Sequence, residues 1–341
     1  MSHFRTAGAL ATAGVLVASL AGCATASGTP SETTGSGDNA AFPMTVSSAL
    51  GDAVIEELPT RIATWGWGAT DAVLALGIVP VAIPSDDYSG GDDRIAPWVE
   101  DALEALGGEA PAILDNTTYE LSVEELLATD PDVLIAPYSG LTQEEFDEVT
   151  AAGIPVVAYE EAAWATPWRD VVTVTGQVLG MDAEAEEILE GLDADVAAAA
   201  AENPEFAGTT IAVPSDFAGT WSLYLPADPR VEILEDLGFV SAPGVTELDT
   251  GESTFYTTVS PENLDKIDAE VVLTFVDSQE VLDAMLTSTT AQLIPAVKSG
   301  AVAALVGVEE ISALTPTPLT LPWILPTLTE RLAEATAVAQ G

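Results

Sequence analysis

The sequence predicts an α/β protein of two Rossmann-like lobes, each built on a mostly parallel sheet, joined by one long rigid helix. Short, nearly continuous apolar segments alternate with helical segments in both halves, a pattern typical of parallel strands covered on both faces. One unbroken helical segment, residues 182–203, separates the halves and would span about 33 Å. Residues 42–341 also exceed the usual size of a single domain.

Strands and helices alternate in the first half, which we assign to an N-terminal lobe of residues 42–168. The predicted strands are residues 61–65, 79–83, 132–136 and 155–159. The predicted helices are residues 70–76, 96–106, 122–128 and 142–152. Glycine follows three of these helices, where it favours a helix stop. Connecting helices are expected over residues 169–203, and the second of them begins at Asp182, a suitable N-cap.

The alternation restarts after Pro204, in a C-terminal lobe of residues 204–341. The predicted strands are residues 209–213, 221–225, 270–275 and 301–306. The predicted helices are residues 229–237, 260–266, 278–286 and 321–339. Residues 122–135 align with residues 260–273 at a constant offset of 138, with matching Ser, Glu, Leu, Asp and Val residues. This internal similarity favours two lobes of related architecture.

The N-terminal segment has the pattern of a bacterial secretion signal. Residues 6–21 are uncharged, too short to span a bilayer, which needs roughly 20 apolar residues, and typical of a signal-peptide core. The sequence Leu20-Ala-Gly-Cys23 resembles a lipobox, in which cleavage precedes a lipidated cysteine. We therefore expect residues 1–22 to be a lipoprotein signal peptide and Cys23 to carry lipid. Residues 23–41, rich in Ser, Thr and Gly, are expected to be a disordered tether.

Composition excludes several classes of function. The 341 residues include 8 basic and 55 acidic residues, and the net charge of −47 opposes binding to nucleic acid. Cys23 is the only cysteine, and His3, the only histidine, would leave with the signal peptide. The remaining chain would then lack the residues for Ser-His or Cys-His catalysis and for a zinc site built on His or Cys. The acidity itself is typical of a solvated surface.

Three segments carry a resemblance to a known family: TWGWGATDAVLALGIVPV at residues 64–81, PDVLIAPYSG at residues 131–140 and AWATPW at residues 163–168. With them, the chain resembles the class III periplasmic binding proteins, and within that class the iron-siderophore branch. The resemblance implies a substrate-binding lipoprotein of an ABC importer, not an enzyme. It implies a monomer, lipid-anchored at the extracytoplasmic face of the cell membrane, that captures a ferric siderophore and delivers it to a permease dimer. It implies no cofactor and no protein-bound metal, because the siderophore holds the iron.

The ligand pocket of the resembled family lies between the lobes, where loops follow strands. Aromatic side chains there suit a bulky, partly apolar chelate. The aromatic candidates are Trp65, Trp67, Tyr138, Trp164 and Trp168 in the first lobe and Phe217, Trp221, Tyr224, Phe255 and Tyr256 in the second. Core packing is the alternative for each of them, and Trp323 is expected in the core. Arg94 and Arg169 are the nearest cations in loops; because cations are so few, a neutral or cationic hydroxamate chelate is expected.

Glu124 and Glu262 occupy matching positions of the internal repeat. They follow Ser122 and Ser260, which suit helix N-caps, and a carboxylate in the first helical turn gains about 0.3–1 kcal/mol from the helix dipole. That local role alone would explain both residues. In the resembled family, one exposed glutamate on each lobe meets arginines of the permease. The resemblance therefore implies that Glu124 and Glu262 dock the protein through complementary charge.

Other functions remain open at this point. A cobalamin or haem receptor would have the same fold, although a haem receptor often offers His or Tyr as an axial ligand. A surface sensor or adhesion lipoprotein would share the fold without serving a transporter. A carboxylate-based hydrolase would need two acids fixed in a cleft, and no segment marks such a pair.

Overall fold

A computed structural model describes residues 42–217 and 219–341 of the chain. The predicted signal peptide, the lipidated Cys23 and the predicted tether lie outside these residues and stay predictions. Within the described part of the chain, no helix combines the length and the apolar character needed to cross a membrane.

A five-stranded parallel sheet forms the first lobe. The chain enters it through an antiparallel hairpin that was not predicted, formed by β1 (Met44–Ser47) and β2 (Asp52–Ile55). The strands of the sheet are β3 (Ile62–Thr64), β4 (Ala82–Pro84), β5 (Ala112–Leu114), β6 (Val133–Ile135) and β7 (Val156–Val157). They lie in the order β5-β4-β3-β6-β7, and each neighbouring pair is parallel.

Four helices follow strands of this sheet. They are α1 (Ala69–Ala75), α2 (Pro97–Leu106), α3 (Val123–Ala128) and α4 (Gln143–Ala151). A complete capping box starts α4: the Thr142 hydroxyl accepts from the N–H of Glu145, and the Glu145 carboxylate accepts from the N–H of Thr142. Ser122 and Glu125, which have the spacing of a capping box at α3, do not complete one. Ser122 accepts from the N–H of Glu125, but the Glu125 carboxylate accepts from the N–H of Asp115.

Two helices connect the lobes, α5 (Trp168–Val178) and α6 (Asp182–Glu202). The predicted long helix is confirmed as α6, whose 21 residues span about 32 Å. Its N-cap is Met181, and Asp182, predicted as the cap, is its first helical residue. Ala185 is buried among first-lobe residues, whereas Leu192 and Val196 are buried in the core of the second lobe. Bending α6 would therefore expose apolar surface in both lobes.

The second lobe combines a parallel sheet with an antiparallel one. Its strands are β8 (Thr210–Ala212), β9 (Pro214–Phe217), β10 (Thr220–Tyr224), β11 (Val240–Ser241), β12 (Tyr256–Val259), β13 (Val271–Val276) and β14 (Val302–Val306). The parallel sheet has the order β11-β8-β13-β14, and the antiparallel sheet has the order β12-β10-β9. All six residues of β13 are buried, as expected for an interior strand of a covered sheet.

Helices complete the second lobe and return the chain to the first. They are α7 (Pro229–Asp236), α8 (Pro243–Leu248), α9 (Gln279–Thr287), α10 (Pro295–Ser299), α11 (Val308–Ala313) and α12 (Leu321–Gln340). The helix predicted at residues 260–266 is a 3₁₀ helix, Pro261–Lys266, and Ser260 does not cap it with its side chain. Between α11 and α12, Leu319 packs against a first-lobe cluster that includes Ile83 and Val99.

Candidate ligand-binding cleft

A cleft of about 710 Å³ lies between the lobes, within the range of roughly 300–1,000 Å³ typical of small-molecule sites. It forms where parallel strands end, the usual place for ligands in α/β proteins. Gly66 comes two residues after β3, Ser85 directly after β4, and Asp277 directly after β13. The segment between α11 and α12 contributes Thr317 to the same cleft.

Three aromatic rings cluster in the first lobe. The ring centroids of Trp67, Tyr138 and Trp164 lie 5.4–5.9 Å apart in tilted or edge-on arrangements. Two glycines permit this approach, because a Cβ at Gly66 would clash with the Tyr138 carbonyl and a Cβ at Gly140 would clash with the Trp164 indole. Trp67 is 38% exposed and lines the cleft, whereas Tyr138 is buried beside it. Trp164 supports the Trp67 ring without lining the cleft.

The second lobe contributes Phe217, Tyr224 and Phe255 to the cleft lining. Phe217 is 60% exposed at the end of β9, so its ring is open to contact. Tyr256 lies beside Phe255, with ring centroids 5.0 Å apart, but is not part of the lining. Trp98 of α2 adds an aromatic ring from the first lobe that sequence reasoning missed, since its position inside a helix resembles an ordinary packing position.

The cation of the cleft wall is Arg230, which sequence reasoning also missed. The Arg230 guanidinium donates to both carboxylate oxygens of Asp228, at 2.8 and 2.6 Å. It lies over the Tyr224 ring, 4.0 Å from the centroid. Burial opposes its charge, but the fully buried Asp228 carboxylate outweighs burial and the pKa of Arg230 is raised. The only sequence signal was Asp228-Pro-Arg230 at the start of α7, where Asp228 also caps the helix.

A buried carboxyl group, Asp71, lies in the first turn of α1 and lines the cleft. The Thr317 hydroxyl donates to its Oδ1 atom at 2.7 Å, which links α1 to the segment between α11 and α12. Burial raises the pKa of Asp71 from 3.8 to about 6, although the hydrogen bond from Thr317 acts to lower it. Asp71 was not predicted as a site residue, because its partner lies 246 residues away in the chain.

A hydrogen bond spans the cleft between Tyr88 of the first lobe and Asp277 of the second. The Tyr88 hydroxyl donates to Asp277 Oδ1 at 2.6 Å, and both residues line the cleft. Partial burial and the hydrogen bond to Asp277 raise the pKa of Tyr88. At neutral pH the Tyr88 hydroxyl is therefore a hydrogen-bond donor that connects the lobes.

Negative charge dominates the lining of the cleft. The lining includes one positively charged residue, Arg230, which is already paired with Asp228. It also includes five aspartates: Asp71, Asp86, Asp87, Asp216 and Asp277. Arg94, a predicted ligand contact, does not line the cleft and pairs with Asp87 and Asp115. Within residues 42–217 and 219–341, no group of three or more His, Cys, Asp or Glu side chains is arranged to hold a metal ion.

Four further predicted ligand contacts do not line the cleft. Trp65, Trp168 and Trp221 are only 2–3% exposed and pack in the cores of the lobes. Arg169 contacts Asp193 of α6 and Glu232 and Asp236 of α7, so it ties α5 to both helices. Trp323, expected in the core, is 49% exposed on α12.

The two glutamates of the internal repeat are both exposed. Glu124 lies in the first turn of α3 and Glu262 in the first turn of the 3₁₀ helix at residues 261–266. Both carboxylates therefore have the position that local helix electrostatics favours, and both are accessible to a partner.

Residues 62–307, more than half of the chain, match the protein family described as "Periplasmic binding protein". The chain belongs to this family. The family and the two-lobed α/β fold predicted from the sequence are thereby confirmed. The members of this family are extracytoplasmic solute-binding proteins, so this periplasmic binding protein is not an enzyme.

The chain is also similar to individual binding proteins of known ligand. PiaA of Streptococcus pneumoniae TIGR4, solved in complex with ferrichrome, is 30% identical with a TM-score of 0.79, over 86% of this chain and 99% of PiaA. An achromobactin-binding periplasmic protein of Dickeya dadantii (strain 3937) is 25% identical over 65% of this chain and 68% of that protein. Staphylococcus aureus SirA, solved with staphyloferrin B, is 21% identical with a TM-score of 0.67, over 85% of this chain and 98% of SirA, and shares the fold.

The raised pKa of Asp71 predicts an unusual pH dependence of stability. Because the folded protein binds this proton more tightly than the unfolded chain, the Asp71 carboxyl favours folding below pH 3.8 and loses that contribution as pH rises through about 6. Asp71→Asn should therefore raise the free energy of unfolding at neutral pH, by up to about 3 kcal/mol.

Urea unfolding of both proteins across the acid to neutral range measures this difference. The gain should disappear at acid pH, where Asp71 is neutral in the folded and the unfolded protein. Asp216→Asn, at an exposed carboxylate of the cleft, should show no comparable gain. A gain for Asp71→Asn that does not depend on pH would contradict the prediction.

Proposed function

We propose that the protein captures a ferric siderophore in the cleft between its lobes and delivers it to the permease of an ABC importer. The observation that carries this proposal is the cleft of about 710 Å³ with Trp67, Trp98, Phe217 and Phe255 in its lining. Broad, rigid rings on both lobes suit a bulky chelate with apolar surface. The similarity to PiaA, solved with ferrichrome, and to an achromobactin-binding protein supports the same class of ligand.

The charged residues of the cleft lining limit which ferric chelates can bind. Five aspartates line the cleft, and the charge of Arg230 is already matched by Asp228. A ferric tri-catecholate is strongly anionic, so burying it here would place like charges together at a large cost. A ferric hydroxamate is neutral unless it bears a basic group. The proposed ligand is therefore a neutral or cationic ferric hydroxamate, whose own oxygens supply all the ligands of the iron.

Arg230 has a specific part in this proposal. Two of its N–H groups donate to Asp228, and Arg230 lines the cleft with donors to spare. The Asp228 pair and the Tyr224 ring hold the guanidinium in place, so little side-chain entropy is lost when a ligand binds. The oxygens of a hydroxamate chelate are suitable acceptors for the remaining N–H groups.

The exposed glutamates Glu124 and Glu262 are suited to docking the protein on the permease. Glu124 lies on the first lobe and Glu262 on the second, so a permease dimer with basic patches could engage both lobes at once. Complementary charge would speed docking and fix the orientation of the cleft. Because α6 is packed in both cores, docking is proposed to involve little bending between the lobes.

The ligand class is tested by tryptophan fluorescence, with ferric hydroxamates, ferric tri-catecholates and cobalamin as titrants. The affinity for ferric hydroxamates should exceed the affinity for ferric tri-catecholates by about tenfold or more, because the aspartates of the cleft repel the anionic tri-catecholates. Trp67→Ala should weaken hydroxamate binding by about tenfold or more, since it removes an aromatic contact from the lining.

Trp323→Phe is the matched control, because Trp323 is exposed outside the cleft. It should change the total fluorescence and leave the affinity as it is. Tighter binding of a tri-catecholate or of cobalamin than of every hydroxamate would refute the proposed ligand class.

The docking role is tested with the double variant Glu124→Ala and Glu262→Ala and the permease in proteoliposomes. We expect about tenfold weaker binding to the permease and unchanged ligand affinity. The control pair is Glu144→Ala and Glu280→Ala, since these glutamates are also exposed in the first turns of helices, one in each lobe. Equal effects of the two pairs would show that only the general negative charge matters.

Lipid anchoring is part of the proposal and rests on the sequence Leu20-Ala-Gly-Cys23. Lipid chains on Cys23 would hold the protein at the extracytoplasmic face of the cell membrane without a spanning helix. Cys23→Ser in the full chain should move the exported protein from the membrane fraction to the soluble fraction. A variant that stays in the membrane fraction would rule out anchoring through this residue.

A further inference from the structure

Asp71 differs from the other carboxylates of the cleft. Asp87 pairs with Arg94, whereas Asp86 and Asp277 accept from the hydroxyls of Ser89 and Tyr88 and are more exposed than Asp71. Asp216 is exposed to solvent, which screens its charge. Asp71 is 7% exposed, accepts from the uncharged Thr317 hydroxyl, and forms no ion pair with any described residue. Its charge therefore acts on the cleft with little compensation from the protein.

The surroundings of Asp71 add no positive charge. Helix α1 packs against α2 and α5, whose ionisable residues are Glu100, Asp101, Glu104, Arg169 and Asp170. The carboxylates among them are exposed, and Arg169 is held by three acidic partners. The segment from Thr315 to Thr320 has no ionisable residue. The charge of Asp86, which also lines the cleft, acts to raise the pKa of Asp71.

A buried carboxylate without a cation is costly for a folded protein. Such groups are typical of functional sites, where the missing partner is supplied by a ligand. The partner that would relieve the cost is a positive group of a ligand in the cleft, beside Asp71 and Thr317. The proposed class of ligand can provide it, because a ferric hydroxamate can carry a protonated amine outside its iron centre.

We infer that Asp71 is a specificity-determining residue that makes the cleft prefer amine-bearing, cationic ferric hydroxamates to neutral ones. This inference rests on the proposed function and names the ligand subclass of the same site. It also couples binding to protons. A cationic chelate favours the ionised Asp71 carboxylate and releases a proton, whereas a neutral chelate excludes water from the carboxyl and favours proton uptake.

Isothermal titration calorimetry tests the inference with two matched ligands, a linear ferric tris-hydroxamate with a free amine and its N-acetylated form. Wild type should bind the cationic chelate about tenfold more tightly at neutral pH, and Asp71→Asn should abolish that preference. Measurement near pH 6 in buffers of different ionisation enthalpy should show proton release with the amine and not with the acetylated form.

Two further variants sharpen the result. Thr317→Val removes the hydroxyl that lowers the pKa of Asp71. This variant should still prefer the cationic chelate at high pH, but the pH at which the preference is half developed should rise. Asp216→Asn removes a solvent-exposed cleft charge and should keep the preference almost unchanged. Thermal unfolding of each variant confirms that it is folded.

The outcomes separate the inference from the function on which it rests. Equal affinity of wild type for both chelates, or an equal loss of preference in Asp71→Asn and Asp216→Asn, would overturn the role of Asp71 and leave hydroxamate capture standing. Failure of wild type to bind either chelate would overturn hydroxamate capture and this inference together.

Discussion

The packing of α6 into two hydrophobic cores is the constraint on which the rest of the structure depends. Ala185 near its start is buried in the first lobe, and Leu192 and Val196 are buried in the second. Helix α6 is therefore anchored in both lobes, which keeps the lobes at a defined separation. Arg169 adds to this by joining α5, α6 and α7 through three carboxylates. A cleft between such lobes is largely formed before any ligand arrives, which reduces the entropy lost on binding.

The chemistry of the cleft follows from where the strands end. Turns after β3 and β4 present Trp67 and the acidic loop that contains Tyr88, and the turn after β13 presents Asp277. The lining of the cleft is more apolar than polar, while its fixed charges restrict which chelate fits. Arg230 and Asp228 neutralise each other within the wall, so the remaining aspartates set the sign of the field.

Much of the fold could be predicted from the sequence, because apolar periodicity and glycine stops mark regular elements. The long helix was placed within one residue of its observed end, and the interior strands within a few residues. The β1–β2 hairpin and the antiparallel sheet of the second lobe were missed, although β1–β2 and β9–β10 pair residues that are close in the chain. Their strands mix polar and apolar residues and lack the continuous apolar segments that mark the parallel strands.

The site was harder to predict than the fold. Trp65 and Trp67 are two residues apart, yet one is buried in the core and the other faces the cleft, because the left-handed turn at Gly66 redirects the chain. Arg230 gains its role only through Asp228 and Tyr224, and Asp71 only through Thr317. The sequence Asp228-Pro-Arg230 is the only local sign of the Arg230 pairing, and the pairing of Asp71 with Thr317, 246 residues away, leaves no pattern in a single sequence.

The return of the chain through Leu319 has a consequence for folding. The cluster around Ile83 and Val99 belongs to the first lobe, but Leu319 packs against it from more than 200 residues further along the chain. This contact couples the folding of the two lobes, because the first lobe completes its apolar contacts there only when the segment between α11 and α12 has returned to it.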